Sequence, residues 1–323
     1  LEQVLQERGG ELDLVYVTRF DTALRAIDPT RRLAPQAKIA LTLADLHFMR
    51  QIRDAISGVG SLDDARGTRD RELHAIREAD VTLSYSDVEH AVILSHNLES
   101  GNVAKAPWVA DVEESIPGPE ERGGLAFLGS YAHPPNRQAV EFFCEQVMPR
   151  LRDGGTEVTF HVYGSGWPDG FRQQFATRDV VFEGFVDSVA DAYGQRRVAV
   201  APLVSGAGLK GKVIDALTHG VPQVLSPIAA EGTGLRDGLE VLIAETPEEW
   251  LERLTTLLAD DERWARMSEA ARAFAQDAYS FERNQAVMRR ALESAGAYAS
   301  PSKAALVAKD ARPDWRAGTR LEQ

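Results

Sequence analysis

Strand-like and helix-like stretches alternate along this chain, and that alternation restricts its fold more than any other feature. Residues 12–17 (LDLVYV) and 38–43 (KIALTL) are short, apolar and rich in β-formers. Residues 20–32 between them read as a helix, as does the charged stretch 63–78. A third strand-like run covers residues 79–86. Ser86, with Glu89 three residues on, then has the spacing of a capping box, in which each side chain satisfies an orphan backbone donor. Strands alternating with helices predict parallel βαβ units.

Residues 111–124 (DVEESIPGPEERGG) break the pattern. They are acidic and rich in Pro and Gly, and predict a linker that packs poorly. The alternation then restarts. Residues 125–129 read as a buried strand, and Pro134 opens a long amphipathic helix ending near Arg152, its prolines tolerated in the first turn. Further strands are expected at 158–163, 180–182, 198–202, 222–226 and 241–244. Thr246, Pro247 and Glu249 open another helix with both the proline and the capping-box signals. The expected organisation is α/β throughout. A Rossmann-like domain covers residues 1–115, a linker 116–124, a second Rossmann-like domain 125–295, and a small, polar, loosely ordered tail 296–323. Ligands of open α/β sheets sit at the carboxyl ends of the strands, so the cleft between two such domains is the expected site.

A length of 323 residues suits about two domains. The formal charge of −13 disfavours general binding to nucleic acid, yet leaves room for a local basic pocket around a phosphorylated ligand. The single cysteine, Cys144, excludes an intrachain disulfide and a cysteine-based zinc site, fits a reducing, cytoplasmic setting and reads as core. No run approaches the roughly 20 apolar residues of a membrane span. The chain opens on Leu1 without an initiator Met or a signal pattern, and reads as a piece of a longer protein or a shortened one.

The segment that carries chemistry is residues 200–217 (VAPLVSGAGLKGKVIDAL), a strand, a glycine loop and a helix. Gly206 and Gly208 let backbone approach a ligand closely. The helix behind them offers free N–H groups and the positive end of its dipole, and Lys210 and Lys212 add charge at the same point. These parts suit a diphosphate. Asp215, deeper along the helix, could accept hydrogen bonds from a ribose diol. The alternative is a plain turn carrying solvated lysines, since short glycine motifs have many false positives. Neither the Walker spacing nor the G-x-G-x-x-G fingerprint is present.

Several motifs in order then point one way: FLGSY at 127–131, HPPN at 133–136, VYGSG at 162–166, FEGFV at 182–186 and the whole of 198–227. Over residues 125–293 the chain resembles the retaining glycosyltransferases called glycosyl transferases group 1, and more weakly before the linker. The resemblance implies a GT-B fold, two Rossmann-like domains facing a cleft, here with the N-terminal one incomplete. It also implies a nucleotide-diphosphate sugar donor, no cofactor and no obligatory metal. In that family two glutamates often face the donor across this loop and helix. Asp215 stands at the second position and Ala207 at the first, so one carboxylate is missing. Gly129, Ser130, Gly206, Gly208, Leu209, Lys210 and Asp215 map to the donor site, with Phe185 and Val186 at the seat of the base. Ser130 and His133 occupy the place of the family's basic residue after the first strand of this domain.

The expected chemistry is transfer of a sugar to a glycan or lipid-linked acceptor, with Lys210 and the helix N-terminus stabilising the departing diphosphate. His47 follows a predicted strand and matches a family histidine near the donor sugar, or is a hydrogen-bonded strand-end residue. Arg19 also follows a strand, as a cleft or surface residue. The expected setting is the cytoplasm, with peripheral contact at the inner face of a membrane and membership of a larger complex both compatible. Two other readings stand beside it: a non-catalytic GT-B module serving another transferase, which Ala207 favours, and a nucleotide-sugar epimerase, which would need an acid–base pair that is not evident.

Overall fold

The computed structural model describes residues 1–56, 58–96, 102–106 and 108–297, so the expected tail lies outside the described residues from residue 298 on. A short helix α1 (Glu2–Arg8) leads into β1 (Leu14–Thr18), α2 (Phe20–Leu33), β2 (Lys38–Leu43), α3 (His47–Ile56), α4 (Leu62–Glu78), β3 (Val81–Ser84), α5 (Asp87–His96) and β4 (Val103–Lys105). These strands form one parallel sheet in the order β1-β2-β3-β4. Phe20, Ala23, Ala26 and Ile27 of α2 and Leu73 and Ile76 of α4 pack with Ile39 and Leu41 on one face. The run KIALTL is buried on both faces of its sheet, which is why it is almost continuously apolar.

The second half contains β5 (Leu125–Leu128), α6 (Pro134–Phe142), α7 (Met148–Asp153), β6 (Phe160–Tyr163), α8 (Asp169–Phe175), β7 (Val180–Gly184), α9 (Val189–Tyr193), β8 (Val198–Ala201), α10 (Gly211–Thr218), β9 (Gln223–Leu225), α11 (Pro227–Ala230), β10 (Leu242–Ile243), α12 (Pro247–Ala259), α13 (Asp261–Tyr279) and α14 (Phe281–Ser294). Its strands form a six-stranded parallel sheet in the order β10-β9-β8-β5-β6-β7. Phe127, Phe143, Phe160 and Trp250 fill its largest core.

Two local readings change in three dimensions and a third holds. The helix expected from Pro134 to Arg152 is interrupted by a π turn at Phe143–Val147. Pro149 cannot donate to the carbonyl four residues back, and the coil widens in the turn just before it. The capping box at Thr246 closes in both directions. At Ser86 only half of it forms: Ser86 Oγ accepts from the Glu89 amide at 3.4 Å, but the Glu89 carboxylate turns elsewhere.

The acidic stretch before β5 is also better packed than its composition suggests. Arg122 is buried and donates to the carbonyls of Pro117, Tyr193, Arg196 and His219 at 3.1–3.3 Å. Its guanidinium lies 5.4 Å from the Trp264 ring centroid. The last helix, α14, falls within the residues assigned above to the second domain, yet Met288, Ala291 and Leu292 pack on Ala40, Val81 and Leu83 of the first sheet. Arg122 thus anchors the connecting stretch to the second half, and α14 ties the two halves together.

Replacing Arg122 by Ala removes the donor from four carbonyls at once. Arg122→Ala is expected to lower unfolding free energy by about 2–4 kcal/mol, measured by urea denaturation. A change within about 0.5 kcal/mol, as at an ordinary surface site, would show the segment to be a passive connector.

Candidate functional site at the domain junction

Strand order in the second sheet reverses between β5 and β8, because the chain leaves β5 for β6 on one side and returns to β8 on the other. Loops leaving the carboxyl ends of two such strands diverge and leave a crevice. Residues 129–133 follow β5 and residues 202–210 follow β8, so Gly129, Ser130 and the glycine loop are brought together by topology.

Asn136 joins the first of these loops to the first turn of α10, which follows the second. It is buried, its Nδ2 donates to Ser130 O at 2.8 Å, and its Oδ1 accepts from Lys212 Nζ at 2.5 Å. Gly129 makes this possible, since a Cβ there would lie 2.6 Å from the Asn136 amide. The Lys212 ammonium also sits 4.4 Å from the centroid of Phe127. Burial, and then the charge of Lys210, push the Lys212 ammonium down to about 7. Lys212 thus brings its charge to the crevice as the sequence suggests, while its partner Asn136 is a polar residue there to which the sequence alone gives no role. Both lie inside quoted motifs, and their pairing across 76 positions of sequence has no local signature.

Lys210 is placed differently. It is buried, and its ammonium turns back to donate to Gly208 O at 2.7 Å. Burial pushes it down to about 8, against the pull of Glu231 and Glu89. Gly206 and Gly208 both adopt positive φ, at 129° and 71°, as the tight loop requires. The loop rests on the first domain: the Gly208 amide donates to Glu89 Oε1 at 3.0 Å, and the Gly206 carbonyl accepts from Arg53 at 2.6 Å. Arg53 also pairs with Glu231, just after α11, at 2.6 Å.

The first domain presents a charged cluster here. Helix α3 starts at His47, where the buried Glu72 accepts from the amides of His47 and Phe48, each at 2.9 Å. A carboxylate on a helix N-terminus meets both its free donors and its dipole. The His47 ring stands edge-on to Phe20, with Nε2 3.1 Å from Asp45 Oδ1. Burial alone would raise the Asp45 carboxyl. The His47 contact and the charges of Arg50 and Arg19 outweigh it and hold the group below the usual carboxylate range. Arg19 has φ 73°, the sole positive value at a non-glycine among the described residues. Such backbone costs about 1–3 kcal/mol and gathers at functional sites. His133, after β5, is held below its ordinary value by its packed surroundings and by the charges of Lys212 and Arg50. His47 and His133 therefore approach one charged cluster from opposite domains.

The remaining site candidates lie along the same rim. Phe185 is 67% exposed just past the carboxyl end of β7, while Val186 is partly packed against the core. Leu209 and Ala207 are half-buried in the loop. Asp215 is half-buried one turn into α10, and burial raises its carboxyl to about 6 despite Lys212. Cys144 is remote from the junction; burial pushes its thiol up to about 12, as for a core residue. A separate concavity of about 840 Å³, lined by Gly124, Thr159, Arg178, Asp179 and Arg197, opens at the amino ends of β5 to β8. It lies at the wrong end of the sheet for the site built here.

Residues 122–260 match the family model described as glycosyl transferases group 1. The second domain is thus similar to that family over most of its length. Among curated proteins, an uncharacterized 44.6 kDa protein of the Klebsiella pneumoniae cps region is 23% identical over 129 residues, covering 37% of this chain and 33% of that protein. Among solved structures, S. aureus TarM, a point mutant in complex with Fondaparinux, alpha-GlcNAc-glycerol and UDP, superposes with a TM-score of 0.71 at 13% identity. The match covers 91% of this chain and 58% of TarM. Anabaena HepE in complex with UDP and glucose gives 0.69 at 13% identity, covering 90% of this chain and 80% of HepE. The fold is therefore GT-B, and the chain spans less than two thirds of TarM and a third of the Klebsiella protein.

The contact between the domains leaves no room at Gly208, where a Cβ would lie 2.8 Å from Ala44 O. Gly208→Ala, which also forces an unfavourable φ, is expected to loosen the junction and raise the radius of gyration in solution scattering. Gly170→Ala, where a Cβ meets nothing within 4 Å, is the control and should change nothing. Equal scattering curves for all three proteins would contradict the junction described.

Proposed function

We propose that this chain is the catalytic core of a glycosyltransferase that takes a sugar from a nucleotide-diphosphate sugar and passes it to a glycan or lipid-linked acceptor. The single observation that carries the reading is the Lys212 ammonium, held by Asn136 beside the N-terminus of α10, at the switch point of a glycosyl transferases group 1 domain. Its positive charge, the first-turn amides of α10 and Lys210 suit a diphosphate. The complexes of TarM and HepE contain UDP, which makes a uridine diphosphate sugar the first donor to try.

In this reading the exposed Phe185 ring stacks on the base and Val186 offers its backbone. Asp215, raised by burial, regains hydrogen-bond donors when the ribose diol arrives. The anomeric C–O bond breaks with its electron pair passing to the diphosphate. The acceptor hydroxyl forms the new bond on the same face, with retention, and its proton passes to a departing phosphate oxygen. The lysines and the helix dipole lower the energy of the charge that develops, which removes the need for an obligatory metal. Gly129, Ser130, Gly206, Gly208 and Leu209 shape the walls, and His47, fixed by Asp45 and Phe20, forms the first-domain wall near the donor sugar. A cytoplasmic place of action, with peripheral membrane contact, fits a lipid-linked acceptor.

One observation favours a second reading, a non-catalytic GT-B module. Ala207 stands where a carboxylate would grip the donor sugar, and the Lys210 ammonium is engaged with its own loop. Titration with UDP, GDP and dTDP by calorimetry, followed by a donor-hydrolysis assay, separates the readings. The transferase reading expects saturable binding of one nucleotide, weakened about tenfold or more by Lys212→Ala and by Asp215→Ala, and slow donor turnover. Binding without turnover in the presence of acceptor glycans supports the second reading, and no binding of any nucleotide contradicts both.

The lysines also set a pH dependence. An ammonium pushed down to about 7 or 8 is partly neutral in the free protein at neutral pH, and a bound diphosphate favours its charged form. Binding therefore takes up protons, and affinity should fall as pH rises from about 7 to about 9. The uptake is read from calorimetry in buffers of different ionisation enthalpy. Affinity rising over that window would contradict the assignment of these lysines.

A further inference from the structure

The Glu89 carboxylate is 3% exposed and accepts two backbone amides through one oxygen, Leu46 at 2.9 Å and Gly208 at 3.0 Å. The first amide belongs to its own domain and the second to the glycine loop of the other. Sequence spacing assigns this carboxylate to a capping box at Ser86, so its departure from that local use calls for a cause elsewhere in the structure. The Gly206 carbonyl, two residues before Gly208, is held by Arg53, again from the first domain. The same guanidinium reaches Glu231 at the end of α11. Lys210 Nζ completes the arrangement by holding the Gly208 carbonyl from within the loop. Gly208, at positive φ, is thus held at both its N–H and its C=O.

We propose that Glu89 and Arg53 are positioning residues for the glycine loop, so that the first domain dictates the shape of the anion-binding loop carried by the second. The inference deepens the donor-site reading above and rests on it for its functional consequence. Neither residue needs to touch the donor. Glu89 fixes which way the Gly208 peptide faces, and with it the direction in which the next amides, at the start of α10, point. Because both struts cross the junction, the loop has its binding shape only while the two domains are together. Anything that holds the nucleotide must then favour the closed arrangement, by reciprocity of linked equilibria.

Hydrogen exchange of the intact chain, with and without UDP, tests this directly using Glu89→Gln. The variant keeps the shape and removes the charge that strengthens both bonds. In the absence of nucleotide, amides of residues 205–211 are expected to exchange about tenfold faster, the effect of one lost charged hydrogen bond, while both sheets keep their protection. UDP affinity should fall by a similar factor. If Glu89 serves its own domain alone, exchange will rise at residues 44–48 and stay unchanged at 205–211, which overturns the proposal. Tighter UDP binding by Glu89→Gln also overturns it, because the carboxylate would then be a competitor for the Gly208 amide. Arg53→Ala, at a less buried strut, gives the same readout should Glu89→Gln fold poorly. If wild-type protein binds no nucleotide, the donor reading fails, while the exchange of the loop still decides whether Glu89 shapes it.

Discussion

A carboxylate at Glu89 with almost no solvent contact, held between backbone amides of two domains, sets the terms for the rest of this molecule. Burial and the charge of Asp45 raise its proton affinity above the usual carboxylate value, and the two amides and the nearby Lys210 offset only part of that rise. A buried ionisable group is tolerated only when such partners are complete, so the carboxylate and the loop it holds stand or fall together. That condition explains why the junction needs glycines. Gly208 lies against Ala44 and Asp45, and Gly232, in the next loop, lies so close to Ser86 that a Cβ would sit 2.1 Å from its Oγ. Both loops of the second domain press against strand ends of the first, and side chains at those points would force the faces apart.

The same closeness shapes the electrostatics. A chain with a formal charge of −13 concentrates Arg19, Arg50, Arg53, Lys210, Lys212 and two histidines around one junction. Asp45, Glu89 and Glu231 neutralise part of that charge. The lysines respond by losing proton affinity, which keeps the junction stable without an anion and leaves it responsive to one. The parallel topology supplies the geometry, since the reversal between β5 and β8 places two loops side by side, and Asn136 ties the first loop to the start of α10 behind the second.

Much of this was legible in the sequence because the responsible signals are local. KIALTL reads as a short apolar strand and is one, buried on both faces, and the Thr246 capping box reads and forms as written. The strand, glycine loop and helix at 198–218 follow from apolar runs and two glycines whose φ values are positive. What could not be read depends on contacts between distant positions. The Glu89 carboxylate had a good local use at Ser86 and was drawn away by an amide 119 positions on. Lys210 and Lys212 look equivalent in sequence, yet one folds into its own loop and the other crosses to Asn136. Arg122 sits in a stretch whose composition suggests a loose connector, and only the assembled fold reveals four carbonyls converging on it.

The central claim is that an anionic ligand is held at the carboxyl ends of β5 and β8 by α10 and Lys212, in a loop shaped from the first domain. A crystal structure of the protein with UDP tests it most directly. The account predicts the diphosphate against the first turn of α10 and the Lys212 ammonium, the base at Phe185, and Glu89 still bonded to the Gly208 amide. A diphosphate bound at the amino ends of the strands, or one that displaces Glu89 from Gly208, would contradict it.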